Sequence, residues 1–101
     1  MSGQDPLSEA ASTGVDPALL MHIMEVREEI SVAQGKDALV SIAAANNVQL
    51  QSSLDELAAA FAAADNNKAA SILVRLQYLR KVAEEIHAEA DRQAVNLPEH
   101  L

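Results

Sequence analysis

Apolar residues recur every three or four positions in three segments of this chain, and that spacing limits the fold more than any other feature. A helix of 3.6 residues per turn brings such positions onto one side, so each segment predicts an α-helix with an apolar face. The longest series is Leu39, Ala43, Asn46, Leu50, Leu54, Leu57, Phe61 and Ala64. Asn46, the polar residue in this series, is predicted to be a polar core residue near an end of a helical bundle.

Capping residues mark where the first predicted helix begins and ends. Asp16 is a good N-cap, and Pro17 suits the first turn, where no backbone N–H donor is needed. The helix is predicted to end at about Gln34, because Gly35 supplies the left-handed conformation that helix ends favour. Since the connection that follows is short, the next helix should run antiparallel to the first.

A polar turn separates the other two predicted helices. The second runs from about Lys36 to Ala64 and the third from about Lys68 to Ala94, with Asp65-Asn66-Asn67 ending one and capping the next. The predicted fold is therefore all-α, a three-helix antiparallel bundle with a flexible N-terminal tail. Its parts are a tail rich in Gly, Ser, Ala and acids (1–15), the helical domain (16–97) and a frayed C-terminus (98–101).

The charge and the lack of cysteine exclude several classes of function. Of 101 residues, 15 are acidic and 7 are basic, which gives a net charge of −8. Nucleic acids and anionic membranes are bound by clustered Lys and Arg, so neither is an expected partner. Without cysteine there are no disulfides, thiolate ligands or cysteine-held iron–sulfur clusters. The first fifteen residues contain no Lys or Arg, which argues against a signal or transit peptide there; if the protein is imported into an organelle, its targeting part lies outside this chain.

No set of residues has the spacing of a catalytic or metal site. The three histidines, His22, His87 and His100, are scattered, and His22 with Glu25 offers only two weak ligands. The Asp65-Asn66-Asn67 run is better explained by helix capping than as part of a calcium loop. We therefore expect no enzyme activity, no metal and no cofactor.

The first helix carries more apolar side chains than one face can bury. Its core stripe consists of Leu19, Ile23, Val26, Ile30 and Ala33. Leu20 and Met24 lie off this stripe, and Met21 points nearly opposite to it. Either a partner protein covers these three side chains, or the bundle wraps around this helix on more than one side.

The third helix also carries apolar residues that lie off its core stripe. Its stripe has coiled-coil-like spacing and consists of Ile72, Leu76, Leu79, Ala83, Ile86 and Ala90. Val74 and Tyr78 lie off it, and if the first and third helices are neighbours, the two sets of leftover residues merge into one apolar surface. Such a surface predicts a partner-binding site, for which adaptable methionines are suited, or self-association across a two-fold axis. The alternative is that these residues are scattered surface hydrophobes of the kind that soluble proteins commonly carry.

Two motifs resemble a known family. Leu19-Leu20-Met21, followed by Met24-Glu25-Val26-Arg27-Glu28-Glu29-Ile30, resembles the segment that opens the C-terminal domain of HscB-type (Jac-type) iron–sulfur co-chaperones. Ala69-Ala70 with Val74-Arg75-Leu76-Gln77-Tyr78-Leu79 resembles a motif in the last helix of that domain. The resemblance covers about residues 16–90, with the same order and spacing of the two motifs.

The resemblance implies a role in iron–sulfur cluster assembly. Family members bind an IscU-type scaffold protein through this domain, while their N-terminal J-domain stimulates a dedicated HscA-type Hsp70 chaperone. Carried over by position, the scaffold-binding residues are an apolar patch of Leu20, Met21, Met24 and Tyr78 and an acidic rim of Glu25 and Glu28.

The chain departs from the family pattern at several points. It contains no J-domain and no His-Pro-Asp motif, so it is expected to bind the scaffold without stimulating ATP hydrolysis. The HscA-type chaperone is then a partner only if the full-length protein has a J-domain. Val32 stands where the family has an acid, and Gln77 where a basic residue is common. The segment from Met24 to Ile30 and Tyr78 resemble mitochondrial members of the family, and this resemblance implies the mitochondrial matrix, with a bacterial cytoplasm as the alternative location.

Overall fold

A computed structural model describes residues 16–98 and Leu101. Its three helices are α1 (Pro17–Val32), α2 (Lys36–Ala62) and α3 (Asn66–Arg92), and residues 16–98 include no β-strand. The predicted all-α three-helix bundle is confirmed, and each helix ends within two residues of its predicted limit. The predicted flexible tail (1–15) lies outside the described residues, as do residues 99 and 100 of the predicted frayed C-terminus.

The start of α1 has the predicted cap. The Asp16 carboxylate accepts a hydrogen bond from the Ala18 N–H at 2.9 Å, and Pro17 occupies the first turn. A missing N–H costs little there, because the first N–H groups of a helix have no partner within the helix.

The end of α1 differs from the prediction. Ala33 is extended, and Gly35 takes its positive φ of 87° at the N-cap of α2 rather than just after α1. The Gln93 side chain holds this connection, because it accepts a hydrogen bond from the Gly35 N–H at 2.8 Å and donates one to the Ala33 carbonyl at 2.9 Å. The end of α3 is thereby attached to the loop between α1 and α2.

The turn between α2 and α3 confirms the predicted cap and adds a strained residue. The Asp65 carboxylate accepts a hydrogen bond from the Lys68 N–H at 3.1 Å. Ala64 is left-handed with a φ of 56°, and the Asp65 N–H donates to the Ala60 carbonyl at 2.9 Å, which is the pattern of a Schellman motif. A left-handed alanine costs roughly 1–2 kcal/mol that a glycine avoids.

The α2–α3 hairpin forms the body of the bundle, and α1 packs mainly against α3. One buried cluster draws on all three helices and consists of Ile23, Ile30, Ala43, Leu79, Val82 and Ile86. A second cluster, formed by α2 and α3 alone, consists of Ala60, Ala69, Ile72 and Leu76. With 16 residues against 27 in each of the other helices, α1 is about 24 Å long against about 40 Å, so part of the hairpin is left without it.

The apolar series predicted for α2 is wrong at Leu54, Phe61 and Ala64, whereas Leu57 packs against the α2–α3 cluster as predicted. Leu54 and Phe61 are 46% and 60% exposed, and Ser53 and Ala60 are buried in their place. The inward positions keep alternating steps of four and three residues along the whole helix, which is the 3.5-residue repeat of helices that wrap around each other. Small side chains at the seam allow α2 and α3 to approach closely.

The stripe predicted for α3 is wrong at one position. Val82 is fully buried, whereas Ala83 is only half-buried. The reason is that α1 packs on the Val82 side of α3 and places Ile23 and Ile30 in the same cluster.

Asn46 is the predicted polar core residue, but it does not lie near an end of the bundle. Its Nδ2 donates a hydrogen bond to the carbonyl of Leu79 at 3.0 Å, and Leu79 is at the middle of α3. Its buried Oδ1 has no partner among the described residues. A polar atom in this state costs free energy, so Asn46 is a weak point of the core.

Candidate functional site on α1 and α3

The exposed side of α1 that carries Met21, Met24, Glu25 and Glu28 is here called the outer face. It includes the two methionines of the predicted patch. Met21 and Met24 are 56% and 54% exposed. Their spacing of three residues places them on adjacent turns of one side of the helix. Since a thioether side chain adapts its shape to what it meets, these two residues fit the predicted contact.

Two acids flank the methionines. Glu25 follows Met21 by four residues and Glu28 follows Met24 by four, so each acid lies one turn beyond a methionine. Both are exposed, and the described part of the chain contains no ion-pair partner for either. Their negative charge is therefore free to attract a basic surface.

Leu20 is buried, and the expectation that it has no place in the core is wrong. It is 7% exposed and packs against Leu19, Val74 and Tyr78 in a small cluster separate from the main core. Of the two explanations offered by the sequence, the second holds at this position, because the bundle wraps around α1 on the side that faces α3. Leu20 therefore holds α1 against α3 through its contacts with Val74 and Tyr78.

Tyr78 and Val74 are the residues of α3 that lie next to the first turns of α1. Both are half-buried and both contact Leu20, while Tyr78 also packs against the main cluster. The residues left over on the first and third helices therefore meet, with Leu20 between them. Tyr78 keeps part of its ring available beside the outer face of α1.

An ion pair fixes α1 against α3 along the same edge. The Arg27 Nε donates to Glu85 Oε1 on α3 at 3.0 Å. Both side chains remain more than a third exposed, so the pair stabilises the fold by less than about 1 kcal/mol. Its contribution is to the position of α1.

Val32 is an apolar residue of the outer face that the motifs did not single out. It is largely exposed and follows Met21 by eleven residues, which is about three helical turns. The family pattern has an acid here, so the resemblance alone indicates a thinner acidic rim. The eleven-residue spacing is the signal that the apolar surface continues toward the end of α1.

Other kinds of site are not formed by the residues that the structure describes. Within residues 16–98, no group of three or more His, Asp or Glu side chains is placed to hold a metal ion. A groove of about 170 Å³ separates α1 from α2, and His22, Glu25, Glu29 and Gln49 are among its lining residues. None of the three described helices is both long and apolar enough to cross a membrane.

Fold and surface together define a small three-helix domain whose shortest helix presents methionines between free carboxylates. The chain belongs to the family described as HSCB C-terminal oligomerisation domain, whose family model matches residues 15–87. The match includes α1, α2 and most of α3, and it confirms the resemblance to the C-terminal domain of HscB-type iron–sulfur co-chaperones, a chaperone-associated family. Searches of curated proteins and of solved structures gave no match.

Proposed function

We propose that this domain binds an IscU-type iron–sulfur scaffold protein through the outer face of α1 and acts as an adaptor that delivers it to an Hsp70-type chaperone. The observation that carries the proposal is the exposure of Met21 and Met24 between the unpaired carboxylates of Glu25 and Glu28. The role is one of binding without catalysis. An HscA-type chaperone is a direct partner only of a full-length protein with a J-domain, and the proposed location is the mitochondrial matrix.

The geometry supports a weak and releasable contact. Covering two half-exposed methionines contributes roughly 1–1.5 kcal/mol each, to which Tyr78 and Val32 add smaller amounts. Association itself costs on the order of 4–15 kcal/mol, which these side chains alone do not exceed, so this face by itself supports only weak binding. The two glutamates contribute mainly to the rate and orientation of encounter with a basic surface.

The test is a double substitution that leaves the core intact. Met21→Gln combined with Met24→Gln removes the exposed apolar surface with a good helix former, and Leu20 is left unchanged because it is buried. We expect binding of an IscU-type scaffold, measured by isothermal titration calorimetry, to weaken about 30- to 150-fold, since roughly 2–3 kcal/mol is lost. Circular dichroism should show unchanged helicity.

A matched control separates a specific site from a general loss of apolar surface. Val48→Gln removes an equally exposed apolar residue on α2 and should leave scaffold binding within about two-fold of the parent. Undiminished binding by the methionine variant, or an equal loss in the Val48 variant, refutes the assignment of the scaffold site to α1.

The second candidate function is self-association through this same face. It is favoured by the family description, which names oligomerisation. Sedimentation velocity on the isolated chain distinguishes the two candidates, because only self-association produces a dimer without scaffold. If the face of α1 forms that dimer, Met21→Gln with Met24→Gln makes the chain monomeric.

A further inference from the structure

We infer that a second copy of this chain binds the side of the α2–α3 hairpin opposite α1. The surface, here called the hairpin face, consists of Leu54, Leu57, Phe61 and Leu73. This inference shares self-association with the second candidate function but assigns it to a different surface, and it does not depend on scaffold binding. Leu54, Phe61 and Leu73 (45% exposed) are large apolar side chains left uncovered by the fold. Leu57 is half-buried against the α2–α3 cluster beneath them.

The α2 side of this face turns away from α1. Gln49 lines the groove that α2 shares with α1, whereas Asn47 and Leu50 line a small cavity between α2 and α3 that no α1 residue reaches. Leu54 follows Leu50 by four residues and Phe61 follows Leu54 by seven, so both continue the side marked by Asn47 and Leu50. Leu54 and Phe61 are exposed because α1 does not cover this side of α2.

The α3 side of the hairpin face also turns away from α1. Val74 and Tyr78 contact Leu20 of α1, so they mark the side of α3 that faces α1. Ala83 lines the small cavity on the other side of the hairpin, and Arg80 lines an open groove of α3 together with Ala83. Leu73 precedes Arg80 by seven residues, close to two full turns, so Leu73 lies on the side of α3 that turns away from α1.

The centre of the hairpin face is uncharged in an otherwise acidic chain. The eight residues 57–64 are all Leu, Ala or Phe. Glu56, just before them, is turned to the other helix, where its Oε2 accepts a hydrogen bond from Arg75 Nη1 at 3.1 Å. Although each copy has a net charge of −8, two copies meet here without acids facing each other at the centre of the contact.

The ends of the face are complementary to each other. Asp65 lies in the turn just beyond the end of α2, and Arg80 lies seven residues, about 11 Å, beyond Leu73. Because α2 and α3 are antiparallel, these charges are at opposite ends of the face. A two-fold axis through the centre brings Arg80 to Asp65 of the second copy and Leu54 to Phe61 of the second copy. An isologous contact requires such self-complementarity.

The exposed area is sufficient for a weak dimer. Three half-exposed large apolar side chains amount to on the order of 300 Å² per copy, or about 600 Å² for the pair. The smallest specific interfaces bury about 1,200 Å² in total, of which somewhat more than half is apolar. The hairpin face is therefore close to the lower limit, and we expect a reversible dimer that forms at high protein concentration.

The test is sedimentation velocity on the full chain from about 10 μM to about 1 mM, a range that resolves weak dissociation constants. The parent should dimerise, and Leu54→Gln with Phe61→Gln should weaken the dimer at least about ten-fold with unchanged circular dichroism. The matched control, Met21→Gln with Met24→Gln, removes the same number of exposed apolar side chains from the opposite side and should dimerise like the parent.

A covalent readout uses the absence of native cysteine. Leu73→Cys lies near the proposed axis and should form a disulfide-linked dimer under mild oxidation much faster than Val48→Cys, whose residue is away from the face. A parent that stays monomeric throughout overturns this inference together with the second candidate function. A dimer broken by the methionine variant but not by the Leu54/Phe61 variant overturns this inference alone and assigns self-association to α1.

Discussion

Replacing Leu20 by alanine separates a core residue from a surface residue within the motif that identifies the family. Leu20 is buried among Leu19, Val74 and Tyr78, and truncating a buried leucine costs about 2–5 kcal/mol. The lower half of that range applies, because its half-buried neighbours are able to relax into the space. We therefore expect a loss of about 2–3 kcal/mol, which for a domain of this size lowers Tm by roughly 10–20 °C.

Thermal unfolding followed by far-ultraviolet circular dichroism measures this loss, and Met24→Ala is its control. Met24 lies one turn from Leu20 on the same helix but is more than half exposed, so its truncation should cost less than about 0.5 kcal/mol. If the two variants unfold at the same temperature, Leu20 is not covered by α3 and the packing of α1 described above is wrong.

Two further predictions concern the hairpin. Ala64→Gly relieves a left-handed alanine and should raise the free energy of unfolding by about 0.5–1 kcal/mol. A lower Tm than that of the parent contradicts this prediction. As the control, Ala58→Gly within α2 should lower the free energy of unfolding by about 1 kcal/mol. Asn46→Leu removes a buried acceptor without a partner and should stabilise by about 1 kcal/mol in urea denaturation. Destabilisation by that change would mean that the amide oxygen is satisfied in solution.

The helices were predictable because their ends depend on local chemistry. Asp16 and Asp65 each accept a hydrogen bond from an N–H of the first turn, and such caps act over three residues of sequence. The inward side of α2 was less predictable, since it depends on how α2 wraps around α3. A prediction based on apolar side chains places Leu54 inward, because it is larger and more apolar than Ser53. A constant 3.5-residue repeat places Ser53 inward instead, and Ser53 is the buried residue.

The candidate site was predictable in part for the same reason. Met21 points away from the core stripe, so its exposure follows from the helical period alone. Leu20 lies at the border of the stripe, where burial is decided by the side on which α3 packs, and a single-helix pattern contains no information on that. Val32 was interpreted only as a missing acid of the rim, because the family pattern has an acid at this position, and its contribution to the apolar surface was not predicted.

The positions of the two surfaces determine how the proposed functions combine. Leu20 anchors the first turns of α1 to Val74 and Tyr78, so the methionines above it are presented only while α1 is packed on α3. The hairpin face lies on the other side, so a dimer formed there leaves both copies of α1 uncovered. Such an assembly has two equivalent scaffold sites, and binding at one does not compete with self-association. Variants of Leu20 report on folding, whereas variants of Met21 and Met24 report on the scaffold site itself.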